Sequence, residues 1–519
     1  MNSKGHHSGA RGLVTGKGVT LSAIPRIMSV FVASTAAAGL TVAIGIVPPA
    51  SATPCEAAEA NIDPPANSAP MPAPQPVVRP PTGRRPPNAN DRAPLPKLGP
   101  LISSLLKPTP GTQYSAPMTH QAEVLPPGPN PPGAGTAPPA NANQLAPNAA
   151  PVQPQPAPQP AADPAPPAPP ANIGGAPTSL VDWVTGVNGP NKTLERFGVS
   201  GTDLGVVWDN GDGANRQALM AFGDTFGYCK VHGQQWRYNV LFRSSDHDLS
   251  KGIHLTPSSP SDRYAGSPAW QSGLSKQIIN TPKVAPKETG IIPTSAISLG
   301  GTQVINFMSI REWLRDGDWS TNYSAIAVSR DNGQNWSVQP NSIRPSSPEN
   351  VPGGRFMPGN EHFQMGAFMK GKDNYLYSFG TPSGRGGPAF LSRVPPRFVA
   401  DPTKYAYWNG DSNSWVPGDP GKATPIFPGP VGEMSAQYND YLKQYLVLYT
   451  NGGSNDVVAR TAPSPTGPWS PEQMLVSSWQ MPGGIYAPMI HPWSSGKDLY
   501  FNLSLWSAYD VMLMHTVLP

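Results

Sequence analysis

The stretch GTDLGVVWDNGDGANRQALMAFGDTF, residues 201–226, contains two apolar runs separated by a turn. The apolar runs 204–208 and 218–222 flank the turn-forming letters DNGDG, a pattern that predicts an antiparallel hairpin. The first and last residues of such a hairpin meet at its open end. Asp203 and Asp224 therefore flank that end.

Two carboxylates at the open end of a hairpin are typical of a glycosidase. Strands lie ~4.8 Å apart, and splayed strand ends could separate the two carboxyls by the roughly 5 to 9.5 Å that glycoside hydrolysis requires. Asp209 and Asp212 lie at the turn end and are excluded from this pair. The alternative is structural, because aspartates beside glycine often bond their own backbone.

Four more hairpins of this kind follow along the chain. Their paired apolar runs are 295–299 with 303–308, 364–369 with 375–379, 434–438 with 445–449, and 485–490 with 499–505. Each of the five hairpins is followed by a further strand-like segment: 238–243, 323–329, 389–394, 457–461 and 511–517. Since no convincing amphipathic helix interrupts them, we predict an all-β domain that is a five-bladed β-propeller.

One turn carries its own signature. Residues 329–336, SRDNGQNW, fit the pattern Ser-x-Asp-x-Gly-x-x-Trp, in which the Asp caps a hairpin and the Trp packs into a propeller blade. Asp331 is therefore predicted to be structural. The motif alone suggests a sialidase, but no arginine triad accompanies it.

If all five hairpins open on one face, their ends form a common funnel. We predict that Asp203 and Asp224 are the catalytic pair of this funnel, and Arg385 and Trp506 lie at the ends of other hairpins. The predicted sugar-binding residues are Arg237, Asn239, Arg311, Asn322, Tyr323, Glu361, His362, Glu433 and Tyr486. The alternative for each is a solvated side chain or a pair within the loops.

The N-terminus has the order of an export signal. Basic residues, including Lys17 and Arg26, precede the apolar stretch 27–47, which runs into Ala50-Ser51-Ala52. This order predicts a secretory signal over residues 1–52. The alternative is an uncleaved membrane anchor, because residues 27–47 approach the ~20 residues that span a bilayer.

Residues 53–177 differ in composition from the rest. About half of the 69 prolines lie there, and such a segment buries too little apolar surface to offset the cost of ordering its backbone. We predict a disordered Pro/Ala-rich linker over residues 53–177. The propeller domain then spans residues 178–519.

Charge and cysteine content narrow the class of protein further. Ten of the 36 Lys and Arg and six of the 32 Asp and Glu precede position 181, so the propeller region is formally neutral and lacks the basic surface of a nucleic-acid-binding protein. The two cysteines are Cys55 and Cys229. An exported protein could pair them, but Cys55 lies in a segment with no predicted fixed position, so no disulfide is expected within the folded domain. No metal-binding motif occurs, and we expect neither metal nor cofactor.

Several motifs together resemble a known family. They are Thr202-Asp203-Leu204-Gly205, Phe222-Gly223-Asp224-Thr225-Phe226, Asn239-Val240-Leu241 with Arg243-Ser244-Ser245-Asp246, Thr321-Asn322-Tyr323-Ser324, and Tyr486-Ala487-Pro488-Met489-Ile490-His491-Pro492. Residues 179–519 resemble the domain of unknown function 4185, associated with glycoside hydrolase family 183, the mycobacterial-type endo-D-arabinanases. The resemblance implies a propeller that cleaves the D-arabinan of cell-wall arabinogalactan and lipoarabinomannan with inversion. It also implies that Asp203 and Asp224 are the essential acidic pair.

Two hypotheses follow. The first is an exported endo-acting glycosidase with cell-wall D-arabinan as its partner, secreted or held at the cell envelope through the N-terminal segment and linker. The second is a non-catalytic propeller of the envelope that binds carbohydrate or protein, since members of such families can lose activity while keeping the fold.

Overall fold

The computed structural model describes Cys55, residues 168–314 and residues 318–519. This part of the chain contains five antiparallel sheets arranged as the blades of a β-propeller and two additional two-stranded sheets, which confirms the predicted all-β, five-bladed fold. The predicted signal or anchor, residues 1–52, lies outside the described residues, as does most of the predicted linker.

The chain enters the propeller through one strand, β1 (Thr178–Trp183), and one short helix, α1 (Thr193–Phe197). The first blade is the sheet β3-β4-β6, extended at its open end by the pair β2-β5 and followed by the hairpin β7-β8. Its strands are β2 (Gly201–Thr202), β3 (Val206–Asp209), β4 (Ala218–Phe222), β5 (Thr225–Phe226), β6 (Val240–Ser244), β7 (Ala269–Gln271) and β8 (Leu274–Ser275).

The remaining blades follow in chain order. The second contains β9 (Gly290–Leu299), β10 (Thr302–Trp313), β11 (Trp319–Ser329), β12 (Ser337–Val338) and β13 (Arg344–Pro345). The third contains β14 (Met365–Lys370), β15 (Leu376–Thr381), β16 (Phe390–Val394), β17 (Ala406–Asn409) and β18 (Ser414–Pro417). The fourth contains β19 (Val431–Asn439), β20 (Gln444–Asn451), β21 (Val457–Ala462) and β22 (Gln473–Val476), and the fifth β23 (Ile485–Ile490), β24 (Asp498–Leu505) and β25 (Asp510–Val517).

Short 3₁₀ turns connect the strands. They are His232–Gln235, Leu249–Lys251, Pro340–Ser342, Asn360–Phe363, Pro396–Phe398, Pro402–Lys404 and Pro420–Lys422. Among the residues that the structure describes, none of the helices has both the length and the apolar character to cross a membrane.

The fifth blade is closed by the N-terminal strand. Its strand order is β1-β25-β24-β23, and Thr178 pairs with Thr516. Residues 168–177 also pack on the propeller, since Ile173 is buried in the apolar core and the backbone N–H of Ala171 donates to Gln444 Oε1 over 2.8 Å. The packed part of the chain therefore extends before position 178, into the end of the predicted linker.

The hairpin of residues 201–226 forms with the predicted register. Val206 pairs with Ala221, and beyond them Thr202 pairs with Thr225. The hydroxyl groups of Thr202 and Thr225 lie 2.7 Å apart and tie this end together. Asp203 therefore lies across the open end of the hairpin from Asp224.

The two cysteines are paired, contrary to the sequence-based expectation. Cys55 forms a disulfide with Cys229, with the two Cα atoms 5.4 Å apart, so the expectation that Cys55 has no fixed position is wrong. Sequence spacing could not show this, because the two residues are 174 positions apart.

The turn between β11 and β12 has the predicted structural role. Oδ1 of Asp331 accepts hydrogen bonds from the Ser329 hydroxyl over 2.7 Å and from the Asn335 backbone N–H over 2.9 Å. The indole of Trp336 packs edge-on against Trp208 of the neighbouring blade, with ring centroids 6.4 Å apart. Asp331 thus caps a hairpin.

Candidate functional site

A cavity opens where the inner strands of all five blades meet. Its lining combines carboxyl groups, indole rings and a floor of apolar side chains. The lining residues are Asp203, Leu204, Asp224, Ile292, Pro293, Thr294, Met308, Trp313, Trp319, Met365, Gly366, Glu433, Met434 and Met489. The predicted pair, Asp203 and Asp224, therefore shares one cavity with a third predicted residue, Glu433.

Asp203 and Asp224 are both buried at the open end of the first hairpin. A Cβ atom at Gly223 would lie only 2.5 Å from Oδ1 of Asp203. Because real Cβ contacts are never this short, the glycine of the Phe-Gly-Asp-Thr motif is needed for the Asp203 carboxyl to reach its place.

Each of the two carboxyls accepts a hydrogen bond from an aromatic side chain. The phenol of Tyr486 donates to Oδ2 of Asp203 over 2.9 Å, and the indole Nε1–H of Trp236 donates to Oδ1 of Asp224 over 3.1 Å. The predicted residue Tyr486 is thus brought to the predicted catalytic pair, whereas Trp236 was not predicted.

The backbone is strained beside this contact. Leu204 follows Asp203 with a φ of 70°, and Ala487 follows Tyr486 with a φ of 54°. The left-handed conformation of a residue other than glycine costs of order 1–3 kcal/mol. The N–H groups hold it by donating to hydroxyls, Leu204 to Ser504 over 2.9 Å and Ala487 to Thr450 over 3.0 Å.

The carboxylate of Glu433 forms a buried pair with Arg385. Nε of Arg385 donates to Oε2 over 3.0 Å and Nη2 donates to Oε1 over 2.6 Å. Burial acts to lower the pKa of Arg385, but the charge and hydrogen bonds of Glu433, together with Tyr486 and Asp318, outweigh burial and raise this pKa. The guanidinium also lies over the rings of Trp319 and Tyr486, 5.0 and 5.4 Å from their centroids.

Two indole rings form a wall of the cavity. Trp313 ends β10, Trp319 begins β11, and the two residues are paired in register with ring centroids 6.3 Å apart. The sequence did not predict them, because the apolar run that marks this strand ends at Met308 while the strand continues to Trp313. A usable signal was present, since a tryptophan lies on each side of a short polar segment.

Arg237 and Asn239 do not line the cavity. The buried guanidinium of Arg237 donates to the carbonyl oxygens of Ser275 and Gly198, and burial lowers the pKa of Arg237 to about 9. The side-chain amide of Asn239 donates to the carbonyls of Ile279 and Ile291. These two side chains hold the loops around the first blade.

Asn322 and Tyr323 are also packed away from the cavity. The amide of Asn322 donates to the carbonyl of Lys287 over 2.6 Å and to the hydroxyl of Ser309 over 3.1 Å. The phenol of Tyr323 donates to Oε1 of Glu288 over 3.0 Å. Burial raises the pKa of Tyr323, and it also raises the pKa of Glu288.

The other three predicted sugar-binding residues lie elsewhere on loops or strand ends. Arg311 is exposed and donates to Oδ1 of Asn350 over 2.6 Å. Glu361 accepts a hydrogen bond from the backbone N–H of Gly359. The ring of His362 stacks on Phe390 with centroids 4.0 Å apart, and burial lowers the pKa of His362. None of the three lines the cavity.

Cys55, residues 168–314 and residues 318–519 contain no group of three or more His, Cys, Asp and Glu side chains placed to hold a metal ion.

Residues 188–515 match the sequence profile of a domain of unknown function, DUF4185. The chain belongs to the DUF4185 family. Relatives of this DUF4185 protein include the notoamide biosynthesis cluster protein J' of Aspergillus versicolor, 29% identical over 326 residues that cover 60% of this chain and 83% of the relative. Another is an uncharacterized 35.9 kDa protein of Mycolicibacterium smegmatis, 24% identical over 275 residues, 52% of this chain and 72% of the relative.

Two solved structures align with part of this chain. A glycosyl hydrolase from Bacteroides ovatus aligns with a TM-score of 0.37 at 12% identity, covering 66% of this DUF4185 chain and 94% of the hydrolase. The Bacillus subtilis arabinanase Arb43A aligns with a TM-score of 0.35 at 12% identity, covering 60% and 95% of the two chains.

Proposed function

We propose that this protein is an exported endo-acting glycoside hydrolase that cleaves internal D-arabinofuranosyl linkages of cell-wall arabinan. The single observation that carries the proposal is that Asp203 and Asp224 are both buried and both line one cavity, together with residues of the other four blades. Paired carboxyl groups at the bottom of a cavity are the machinery of glycosidic bond cleavage.

The two carboxyls divide the reaction between them. One carboxylic acid gives its proton to the glycosidic oxygen as the bond from that oxygen to the anomeric carbon breaks. The other carboxylate takes a proton from a water molecule, whose oxygen bonds to the anomeric carbon from the opposite face. The products are two shorter arabinan chains, and the configuration at the anomeric carbon is inverted.

The remainder of the cavity suits a neutral sugar. The indole rings of Trp313 and Trp319 offer apolar surface against which a sugar ring can pack. The Arg385 guanidinium and the Glu433 carboxylate neutralise each other's charge. Their pairing favours uncharged arabinan over an acidic polysaccharide.

The proposed location follows from the N-terminal sequence. Residues 1–52 have the order of an export signal, and residues 27–47 are long enough to serve as an anchor instead. Either route brings the propeller to the cell envelope, where arabinogalactan and lipoarabinomannan are accessible.

The test uses the full chain and purified arabinogalactan. We expect release of arabino-oligosaccharides by the wild type, and a loss of roughly 10²-fold to 10⁴-fold in rate for Asp203→Asn and Asp224→Asn. Asp212→Asn is the matched control, because this carboxylate is at the other end of the same hairpin, where Tyr264 donates to it. The anomeric configuration of the first product, followed by NMR, tests inversion.

Two outcomes would overturn the proposal. Undiminished turnover in both Asn variants would show that Asp203 and Asp224 are not the catalytic pair. Tight binding of arabinan by a wild-type protein that releases no product would favour the non-catalytic envelope propeller.

A further inference from the structure

The guanidinium of Arg385 lies between two groups of the cavity. It is paired with Glu433 on β19, and it lies 5.4 Å from the ring centroid of Tyr486 on β23. The phenol of Tyr486 in turn donates to Asp203. A positive charge on the third blade is thus connected to a catalytic carboxyl of the first blade through one phenol of the fifth.

The backbone around Arg385 is closely fitted. A Cβ atom at Gly452 would lie 2.0 Å from the Arg385 carbonyl oxygen, and one at Gly384 would lie 2.1 Å from Oδ1 of Asp318. The same Asp318 oxygen accepts the backbone N–H of Arg385 over 3.1 Å. Two neighbouring positions therefore accept only glycine without rearrangement, which fixes where the Arg385 side chain begins.

Several charged or titratable groups of the described residues surround the catalytic pair. Tyr486 contacts Asp203 directly, and the turn that precedes β25 contributes Tyr509, whose carbonyl accepts the N–H of Thr202. Asp224 and Glu433 share the cavity. Burial, together with the charges of Asp224 and Glu288, raises the pKa of Tyr238 to about 12. Asp224 accepts a hydrogen bond from the neutral indole of Trp236, whereas the chain of contacts from Asp203 leads to the Arg385 cation.

We propose that Arg385 is a positioning residue that holds Asp203 ionised through Tyr486, so that Asp203 is the general base and Asp224 the general acid. A nearby cation makes the phenol of Tyr486 a stronger hydrogen-bond donor, and a donated hydrogen bond favours the carboxylate form of Asp203. Since two ionised carboxylates in one pocket repel each other, the proton resides on Asp224. The division of roles rests on the proposed function.

The proton balance closes over one turnover. Asp224 gives its proton to the leaving oxygen, and Asp203 takes a proton from the attacking water. The enzyme then holds the proton on Asp203. Exchange with solvent returns Asp203 to its carboxylate form and Asp224 to its acid form.

The experiment reads the ionisation of Asp203 without using activity. Full-length protein is labelled with ¹³C at the aspartate Cγ, and the Asp203 resonance is identified by its absence in Asp203→Asn. Arg385→Gln should raise the Asp203 titration midpoint by about 1 pH unit or more, because the cation is lost. Glu433→Gln should lower the midpoint, because the guanidinium charge is no longer balanced. A purely structural role for the pair would not give shifts of opposite sign.

A matched control exists in the fourth blade. Nε of Arg460 donates to the phenol of Tyr449 over 2.8 Å, and that phenol donates to Glu472 over 2.8 Å, away from the cavity. Arg460→Gln and Glu472→Gln should leave the Asp203 midpoint in place. Arg385→Lys should restore part of the wild-type value.

The result that overturns the inference is an Asp203 midpoint that stays fixed, or moves the same way, in Arg385→Gln and Glu433→Gln. If Arg385→Gln does not fold, Tyr486→Phe is the second variant, and the inference requires that it raise the midpoint too. A wild type that hydrolyses no arabinan would refute the proposed function, while the opposite shifts would still support the role of Arg385.

Discussion

The phenol oxygen of Tyr486 lies 2.9 Å from Oδ2 of Asp203, although the two residues are 283 positions apart in the chain. This hydrogen bond joins the inner strand of the last blade to the hairpin of the first blade. The residue after each partner, Leu204 or Ala487, has left-handed backbone. The contact between the last and the first blade therefore also positions the Asp203 carboxyl.

Removal of this phenol should reduce activity more than stability. A hydrogen bond to a charged group contributes about 1.5–3 kcal/mol, so Tyr486→Phe should lower kcat/KM for arabinan roughly 10-fold to 100-fold. Tyr449→Phe removes a comparable phenol bond to Glu472 outside the cavity and serves as the control. Equal losses of kcat/KM in the two variants would contradict a specific role for Tyr486.

Substitution of Arg237 should destabilise the fold and leave substrate affinity unchanged. Its buried guanidinium donates to two backbone carbonyls, and Arg237→Met leaves those oxygens without their donor. We expect a loss of about 3–5 kcal/mol in the free energy of unfolding, measured with urea. Arg311→Met, at an exposed position, should change little. If Arg237→Met has normal stability but a raised KM, the result would support the sequence-based prediction that Arg237 binds sugar.

The Cys55–Cys229 disulfide leads to two predictions, one for the number of free thiols and one for proteolysis of the segment that follows Cys229. Ellman's reagent should detect no thiol in the native protein and two after reduction, and a non-reducing digest should contain a peptide pair joined through Cys55 and Cys229. Cys229 lies seven residues before Trp236, which donates to Asp224. Cys229→Ser should therefore increase proteolysis between residues 227 and 236. Free thiols in protein purified from an oxidising compartment would contradict the pairing.

The sequence could predict which end of a strand a residue occupies but not its distance from the propeller axis. Glu433 and Tyr486 belong to inner strands. Glu433 lines the cavity, and Tyr486 donates to Asp203. Asn322 and Tyr323 lie at comparable ends of the third strand outward, where side chains face loops and neighbouring blades. The alternation of apolar and polar residues is the same along inner and outer strands. It therefore does not distinguish Glu433 and Tyr486 from Asn322 and Tyr323.

Contacts between segments far apart in the chain could not be predicted from the sequence either. The hairpins form from neighbouring residues, and their turns and apolar runs predicted all five blades. Strand β1 pairs with β25 at the other end of the chain, and Cys55 pairs with Cys229 across most of the linker. Trp313 and Trp319 were missed because β10 and β11 extend beyond the apolar runs that marked them.

Stability should also depend on pH through His491, which is fully buried beside Trp493. Burial lowers the pKa of His491 to about 3, and the Asp209 carboxylate opposes this only in part. In the unfolded chain a histidine binds its proton near pH 6.5. The unfolded state therefore gains protons as the pH falls below 6.5, while the folded state stays neutral at this position until about pH 3. The stability contributed by neutral His491 is present above pH 6.5 and is lost on acidification.

The expected loss is at most about 1.4 kcal/mol per pH unit, or about 2 to 3 kcal/mol between pH 6.5 and 4.5. His491→Asn cannot take up this proton, so its unfolding free energy in urea should fall less than that of the wild type over this interval. Asp510 acts with the opposite sign, since burial raises its pKa to about 7 and its contribution is lost as pH rises toward that value. Both the wild type and His491→Asn contain Asp510. The contribution of Asp510 therefore cancels when the unfolding free energy of one protein is subtracted from that of the other. His254→Asn, at an exposed position, is the control, and an identical pH slope in wild type and His491→Asn would show that His491 is not kept neutral by burial.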